Sequence, residues 1–151
     1  MNVYLAADHR GFELKETVKE WLADKEAFEV IDLGAKRYVK TDDYPDYGIA
    51  LGEAVAGDPG SKGIGICGSG VGMVIAANKV NGVRAGQARD AEIAAVSCSD
   101  DSTNVLAVAA DYIYEDKAKR VIETWLGCEF AGEARFMRRI KKLEEYEKKR
   151  G

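Results

Sequence analysis

The 151-residue chain has one histidine, two prolines and three cysteines, and it has no long apolar run. Each scarcity excludes something. Few prolines and no repetitive segment exclude a fibrous or linker-like protein. No run approaches the ~18 apolar residues that span a bilayer, so no membrane partner is expected. The cysteines, Cys67, Cys98 and Cys128, are odd in number and lack metal-ligand spacing. With a single histidine beside them, no metal site is indicated. Reduced thiols in a cytoplasmic protein are the natural reading. The N-terminal stretch breaks at Asp8 and has no basic n-region or cleavage site, so it does not read as a signal peptide.

What is present is an ordinary globular composition. Hydrophobic residues make up 46% and charged residues 32%, which excludes a disordered chain. The length predicts one domain over 1–151, since domains usually run to ~100–200 residues. The net charge of −4 is uneven: residues 135–150 carry +5 and the remainder −9. Overall acidity argues against a nucleic-acid partner. The basic tail reads as a solvated helix face or as a holder of one small anion.

Strand and helix signals alternate along the chain. Strands are predicted at 2–7, 28–33, 63–67, 82–87 and 104–109. Helices are predicted at 12–25, 47–56, from the glycine loop to about Lys79, and at 90–98, 115–127 and 133–149. A polar loop holding Pro45 fills 35–46. Alternation of this kind implies βαβ units. The predicted fold is therefore α/β: a Rossmann-like three-layer sandwich, with a mainly parallel five-stranded sheet and helices on both faces. In such sheets ligands bind beyond the carboxyl ends of the strands. That rule directs attention to Asp8–Arg10, Cys67–Gly72, Gln87–Asp90 and the segment before Asn104.

The loop Cys67-Gly68-Ser69-Gly70-Val71-Gly72 follows a strand and opens a helix. Successive glycines let backbone N–H groups converge on an anion, and the helix start adds positive potential. The loop is not a Walker A motif, and its glycine spacing is not the dinucleotide fingerprint. The plainer alternative is a tight βα turn with glycines for packing. Cys67 ends the strand beside these donors. A thiol so placed can serve as base or nucleophile, or can be a small buried hydrophobe. Cys98 and Cys128 fit the second description. His9, the sole histidine, sits in the polar turn Asp8-His9-Arg10-Gly11. Arg135 and Arg139 are four apart on one helix face, a spacing that suits a phosphate or simply a solvated surface.

Seven stretches in order resemble one family. They are Asp8-His9-x-Gly11-x-x-Leu14-Lys15, Thr41-Asp-Asp-Tyr44-Pro45, Ile66-Cys67-Gly-Ser-Gly-Val-Gly72, Ala76-Ala-Asn78-Lys79, Gly82-Val-Arg84-Ala85, Thr103-Asn104-Val-Leu106 and Arg135-x-x-x-Arg139-Ile140. They resemble the type B ribose-5-phosphate isomerases, a family that includes the galactose-6-phosphate isomerases. The resemblance implies aldose–ketose isomerisation of a phosphorylated sugar without metal or other cofactor. It implies Cys67 as the base that moves a proton between C1 and C2 through a cis-enediolate. The following loop (Gly68, Ser69, Gly70, Val71, Gly72) would supply N–H donors to the enediolate oxygen. Asp8 and Tyr44 would contact the sugar, and His9, Arg135 and Arg139 the phosphate. It further implies a homodimer or tetramer with shared sites, the C-terminal helix lying at the dimer interface.

Two departures bear on substrate. Asp100 and Asp101 stand where family members usually carry His-Asn, the His being the ring-opening group. A carboxylic acid at Asp100 can do the same proton transfer, with Asp101 beside the substrate, or the substrate is an open-chain tetrose phosphate that needs no ring opening. Asp111 stands where many members have an arginine that reaches the phosphate. Arg10 and Arg89 are the cations available to compensate. Ribose 5-phosphate is the leading substrate. A hexose 6-phosphate, a tetrose phosphate, or a non-catalytic sugar-phosphate-binding paralogue are the alternatives.

Overall fold

The computed structural model describes the whole chain, Met1–Gly151. The elements are β1 (Asn2–Ala7), α1 (Phe12–Ala23), β2 (Glu29–Asp32), α2 (Tyr44–Gly57), β3 (Lys62–Cys67) and α3 (Val71–Ala77), followed by β4 (Ala85–Gln87), α4 (Ala91–Ser99), β5 (Val105–Ala109), α5 (Glu115–Leu126) and α6 (Ala134–Arg150). A short 3-10 turn, Ala110–Tyr112, leads out of β5. The strands form one sheet in the order β2-β1-β3-β5-β4, and every ladder is parallel. A parallel sheet must be covered on both faces, because its crossovers place helices there.

The alternation in β3 shows how the sequence sets the two layers. Successive side chains on a strand point to opposite faces. Ile64 and Ile66 join the larger core cluster, with Val18 and Leu22 of α1, Ala94 of α4 and Trp125 of α5. Trp125 is fully buried, and its indole N–H donates to Thr103 Oγ1 at 2.9 Å. Gly63 and Gly65 face the other way, toward α2. A Cβ on Gly63 would lie 2.8 Å from Val55 Cγ2, and one on Gly65 would lie 3.1 Å from Leu51 Cδ2. The glycines let α2 lie close against the sheet. Cys67 continues their face and ends among Met73, Ala107, Tyr47 and Val74. α2 and α3 approach equally closely, since a Cβ on Gly48 would sit 2.5 Å from that of Ala76.

Two boundaries differ from the sequence reading by three residues. α2 begins at Tyr44, so Pro45 lies in the first helical turn rather than in the preceding loop. Proline suits that position, where its missing N–H costs no hydrogen bond. The fourth strand starts at Ala85 instead of 82. Side chains supply the bonding before it: Asn104 Oδ1 accepts from Arg84 N, and Asn78 Oδ1 accepts from Ala85 N.

α6 is the outlier. Of its seventeen residues only Phe136 is buried, and Met137, Leu143 and Tyr146 are exposed apolar side chains. No helix is long and apolar enough to cross a membrane.

Candidate active site at the carboxyl end of the sheet

Three of the four loops singled out from the sequence rule leave the carboxyl ends of their strands. Asp8 follows β1, the glycine loop follows β3, and Ala88–Asp90 follows β4. The fourth segment does not. Residues 100–104 precede β5 and therefore lie at the amino end of the sheet; the loop leaving β5 there is Ala110–Tyr112 instead.

At the carboxyl end a cavity of about 240 Å³ is walled by Asp8, Arg10, Tyr44, Cys67, Gly68 and Ser69, with Gly72, Asp111 and Tyr112 completing it. Cys67 is 4% exposed, at the floor. The loop above it is held by its neighbours. Gln87 Nε2 donates to Ser69 O at 2.7 Å, and Asp111 N donates to Gly68 O at 3.1 Å. Gly70 has φ +76°, a left-handed conformation that favours glycine, and a Cβ there would strike the Gln87 amide at 2.8 Å. The Tyr44 ring lies against Gly72, where a Cβ would come within 2.9 Å of it. The N–H groups of Ser69, Gly70 and Gly72 bond to no acceptor in the protein. A helix start leaves such donors free, and here they border a thiol.

The first turn is built on Asp8. Its Oδ1 accepts from Arg10 N at 3.0 Å and from Gly11 N at 3.1 Å. Burial pushes this carboxyl above its ordinary range, more than the two N–H bonds pull it down. Gly11 fits because a Cβ would lie 2.2 Å from Ile66 O. His9 follows Asp8 in the chain and is not among the residues that wall the cavity. Its ring Nδ1 lies 2.7 Å from Asp42 Oδ1, which also accepts from His9 N at 2.9 Å. Burial pushes the Asp42 carboxyl up, but these bonds from His9 outweigh it and hold it below the usual range. The loop bearing Asp42 hangs from Asp32, whose Oδ1 accepts from Gly34 N at 2.9 Å. Fully buried Lys15 bonds both oxygens of Asp32 at 2.9 Å. Burial alone would raise Asp32, yet Lys15, Gly34 N–H and Lys19 lower it to about 2.

One chain does not bring all the predicted site residues together. Asp100 caps the carboxyl end of α4, where its Oδ1 accepts from Ser99 Oγ at 2.6 Å. Asp101 and Arg139 line a different and larger hollow, about 640 Å³, between α6 and the residues around β4. Arg135 bonds Glu133 and lies 4.5 Å over the Phe136 ring, and Arg139 lies 5.9 Å over the same ring. The two arginines thus share a helix face, as their spacing predicts, but that face is not at Cys67. The sequence reading gave no role to Asp42, Lys15 or Gln87. Asp42 and Lys15 lie inside stretches that carry the resemblance, and Gln87 opens one of the four segments the sheet rule singles out, but its bond to the glycine loop is set by the fold alone.

A family model described as ribose/galactose isomerase matches residues 3–143. A relative from Mycoplasma pneumoniae, a probable ribose-5-phosphate isomerase B, is 36% identical over 148 residues, covering 98% of this chain and 96% of the relative. The D-erythrulose-4-phosphate isomerase of Pectobacterium atrosepticum is 34% identical over 132 residues, covering 87% and 86%. The crystal structure of ribose-5-phosphate isomerase B from Mycoplasma genitalium with bound ribulose-5-phosphate superposes with a TM-score of 0.93 at 36% identity, covering 97% and 96%. The fold and these relatives define an aldose–ketose isomerase. The chain belongs to the ribose/galactose isomerase family.

Proposed function

We propose that the protein interconverts ribose 5-phosphate and ribulose 5-phosphate, with Cys67 as the base. The observation that carries this reading is Cys67 at the floor of a cavity, beside three unbonded N–H groups. The thiolate removes the C2 proton of the open-chain aldose, and negative charge develops on O1. The N–H groups of Gly68–Gly72 stabilise that charge, which is where preorganised donors are most effective. The thiol then returns the proton to C1 while the C2 hydroxyl passes its own to O1, leaving the ketose. Asp8 and Tyr44 orient the sugar, and Ser69 borders the reacting carbons.

The remaining roles need a second copy. Asp100, Asp101, Arg135 and Arg139 are remote from Cys67 in one chain, so a homodimer in which α6 crosses to the partner's mouth is the arrangement that unites them. The arginine pair then holds the phosphate with His9, and Asp100 opens the furanose ring. The protein acts as a single isomerase domain over 1–151, in the cytoplasm, as a dimer or a pair of dimers. A tetrose phosphate is the second reading, favoured by the acidic pair at Asp100 and Asp101, because a tetrose 4-phosphate has no ring to open.

The test is turnover of ribose 5-phosphate and of erythrulose 4-phosphate by wild type and Cys67→Ser. Cysteine-dependent turnover of the pentose supports the first reading, and turnover of the tetrose alone supports the second. A folded Cys67→Ser protein with undiminished rates overturns the mechanism.

A further inference from the structure

The mouth of the cavity is charged in an uneven way. Its wall holds two carboxylates, Asp8 and Asp111, and one cation, Arg10. Asp8 spends one oxygen on the turn that carries Arg10. Arg10 reaches across the end of β3 and pairs with Asp111 through its Nη2. The pair lies directly on the glycine loop: a Cβ on Gly68 would meet Arg10 Nε and Asp111 Oδ2, each at 2.7 Å. Asp111 is fixed from behind, since its own N–H donates to Gly68 O. The far rim is Tyr112, whose ring carries the Arg89 guanidinium at 5.8 Å.

We propose that Arg10 is a phosphate ligand of this site and that Asp111 is the counter-ion it exchanges for the phosphate. The inference rests on the sugar-phosphate reading of the cavity. The Arg10 and Asp111 side chains are 59% and 33% exposed. An ion pair so open to water stabilises little, so the guanidinium exchanges partners readily. A phosphate monoester offers it two oxygens in fork geometry and more charge than a carboxylate does. Asp111 keeps Arg10 over the loop while the cavity is empty and releases it when the dianion enters. The glycine at 68 is what allows that cation to rest so close to Cys67.

Inorganic phosphate is the probe, titrated calorimetrically and used as a competitive inhibitor of turnover. The variants are Arg10→Ala, Arg10→Lys and Asp111→Asn, each checked for a native melting temperature. Phosphate affinity should fall at least about ten-fold in Arg10→Ala, in line with loss of a charge-assisted hydrogen bond. Arg10→Lys should recover part of it. In Asp111→Asn phosphate should bind several-fold tighter, because a competing anion is removed. A merely structural ion pair predicts weakening in that variant instead. Unchanged phosphate affinity in folded Arg10→Ala, or weaker binding in Asp111→Asn, overturns the inference. Turnover of a sugar phosphate with Arg10-independent phosphate binding would leave the isomerase reading standing alone. Arg10-dependent phosphate binding without turnover of any sugar phosphate would leave the anion site standing alone.

Discussion

The two ends of the sheet are built to different standards. At the carboxyl end every loop is tied down: Asp8 to Arg10 and Gly11, Ser69 to Gln87, Asp111 to Gly68, His9 to Asp42. At the amino end α6 stands out from the body with one buried residue, flanking a hollow that holds Asp101 and Arg139. The first end is finished within one chain. The second is a surface of charge and exposed apolar side chains. The contrast separates the groups gathered around Cys67, Arg10 among them, from Asp101 and Arg139, which only the proposed dimer would bring to the same site.

The largest effect should come from the finished end. Cys67→Ser should lower kcat by a factor of about a thousand or more, as removal of a catalytic base or its partner does. Its melting temperature should move little. Next, Lys15→Met should cost roughly 3 kcal/mol in chemical denaturation, because it strips a buried carboxylate of its principal partner. That loss would reach the mouth through Asp32, Gly34 and the loop carrying Asp42. Acid should act on the same pair. The Asp32 carboxyl is held at about 2 against an ordinary 3.8, so its contribution is complete above the higher value and is lost as pH falls through the lower. Its size is about 2 kcal/mol. Denaturation midpoints between pH 5 and 2 should show this loss in wild type, and Asp32→Asn should flatten it. The smallest of these effects belongs to the open end. Arg139→Ala should raise KM about ten-fold with an unchanged melting temperature. Mixing Arg139→Ala with Cys67→Ser should return a wild-type KM in the hybrid dimers that hold one intact site. No recovery on mixing would show that Cys67 of one chain and Arg139 of another do not share a site.

Much of this was legible in the sequence. The βαβ alternation, the strand GIGIC and the glycine loop gave the sheet, its carboxyl mouth and Cys67. Those features are local: period-two alternation and left-handed glycines are dictated within a few residues. What was illegible depended on contacts between segments far apart. Nothing adjacent to Asp42 announces that it binds His9, thirty-three residues earlier. Nothing near Lys15 announces that a lysine on an apolar helix face is fully buried against Asp32. Residues 100–104 read as part of the mouth because they border a parallel strand, but they join its amino end. Arg10 and Asp111 are opposite charges 101 positions apart in the sequence, and only the fold shows that they touch.

The glycines of β3 have an evolutionary consequence. A methyl group on Gly63 or Gly65 would already sit 2.8 to 3.1 Å from Val55 or Leu51, so any larger residue there requires those side chains of α2 to give way with it. Gly63 and Gly65 alternate along the strand that delivers Cys67. The strand that ends in Cys67 therefore changes only where α2 changes with it, whereas α6, with sixteen of its seventeen residues on or near the surface, meets no such packing constraint within the chain. Descendants of this chain should diversify in what they capture sooner than in how they react.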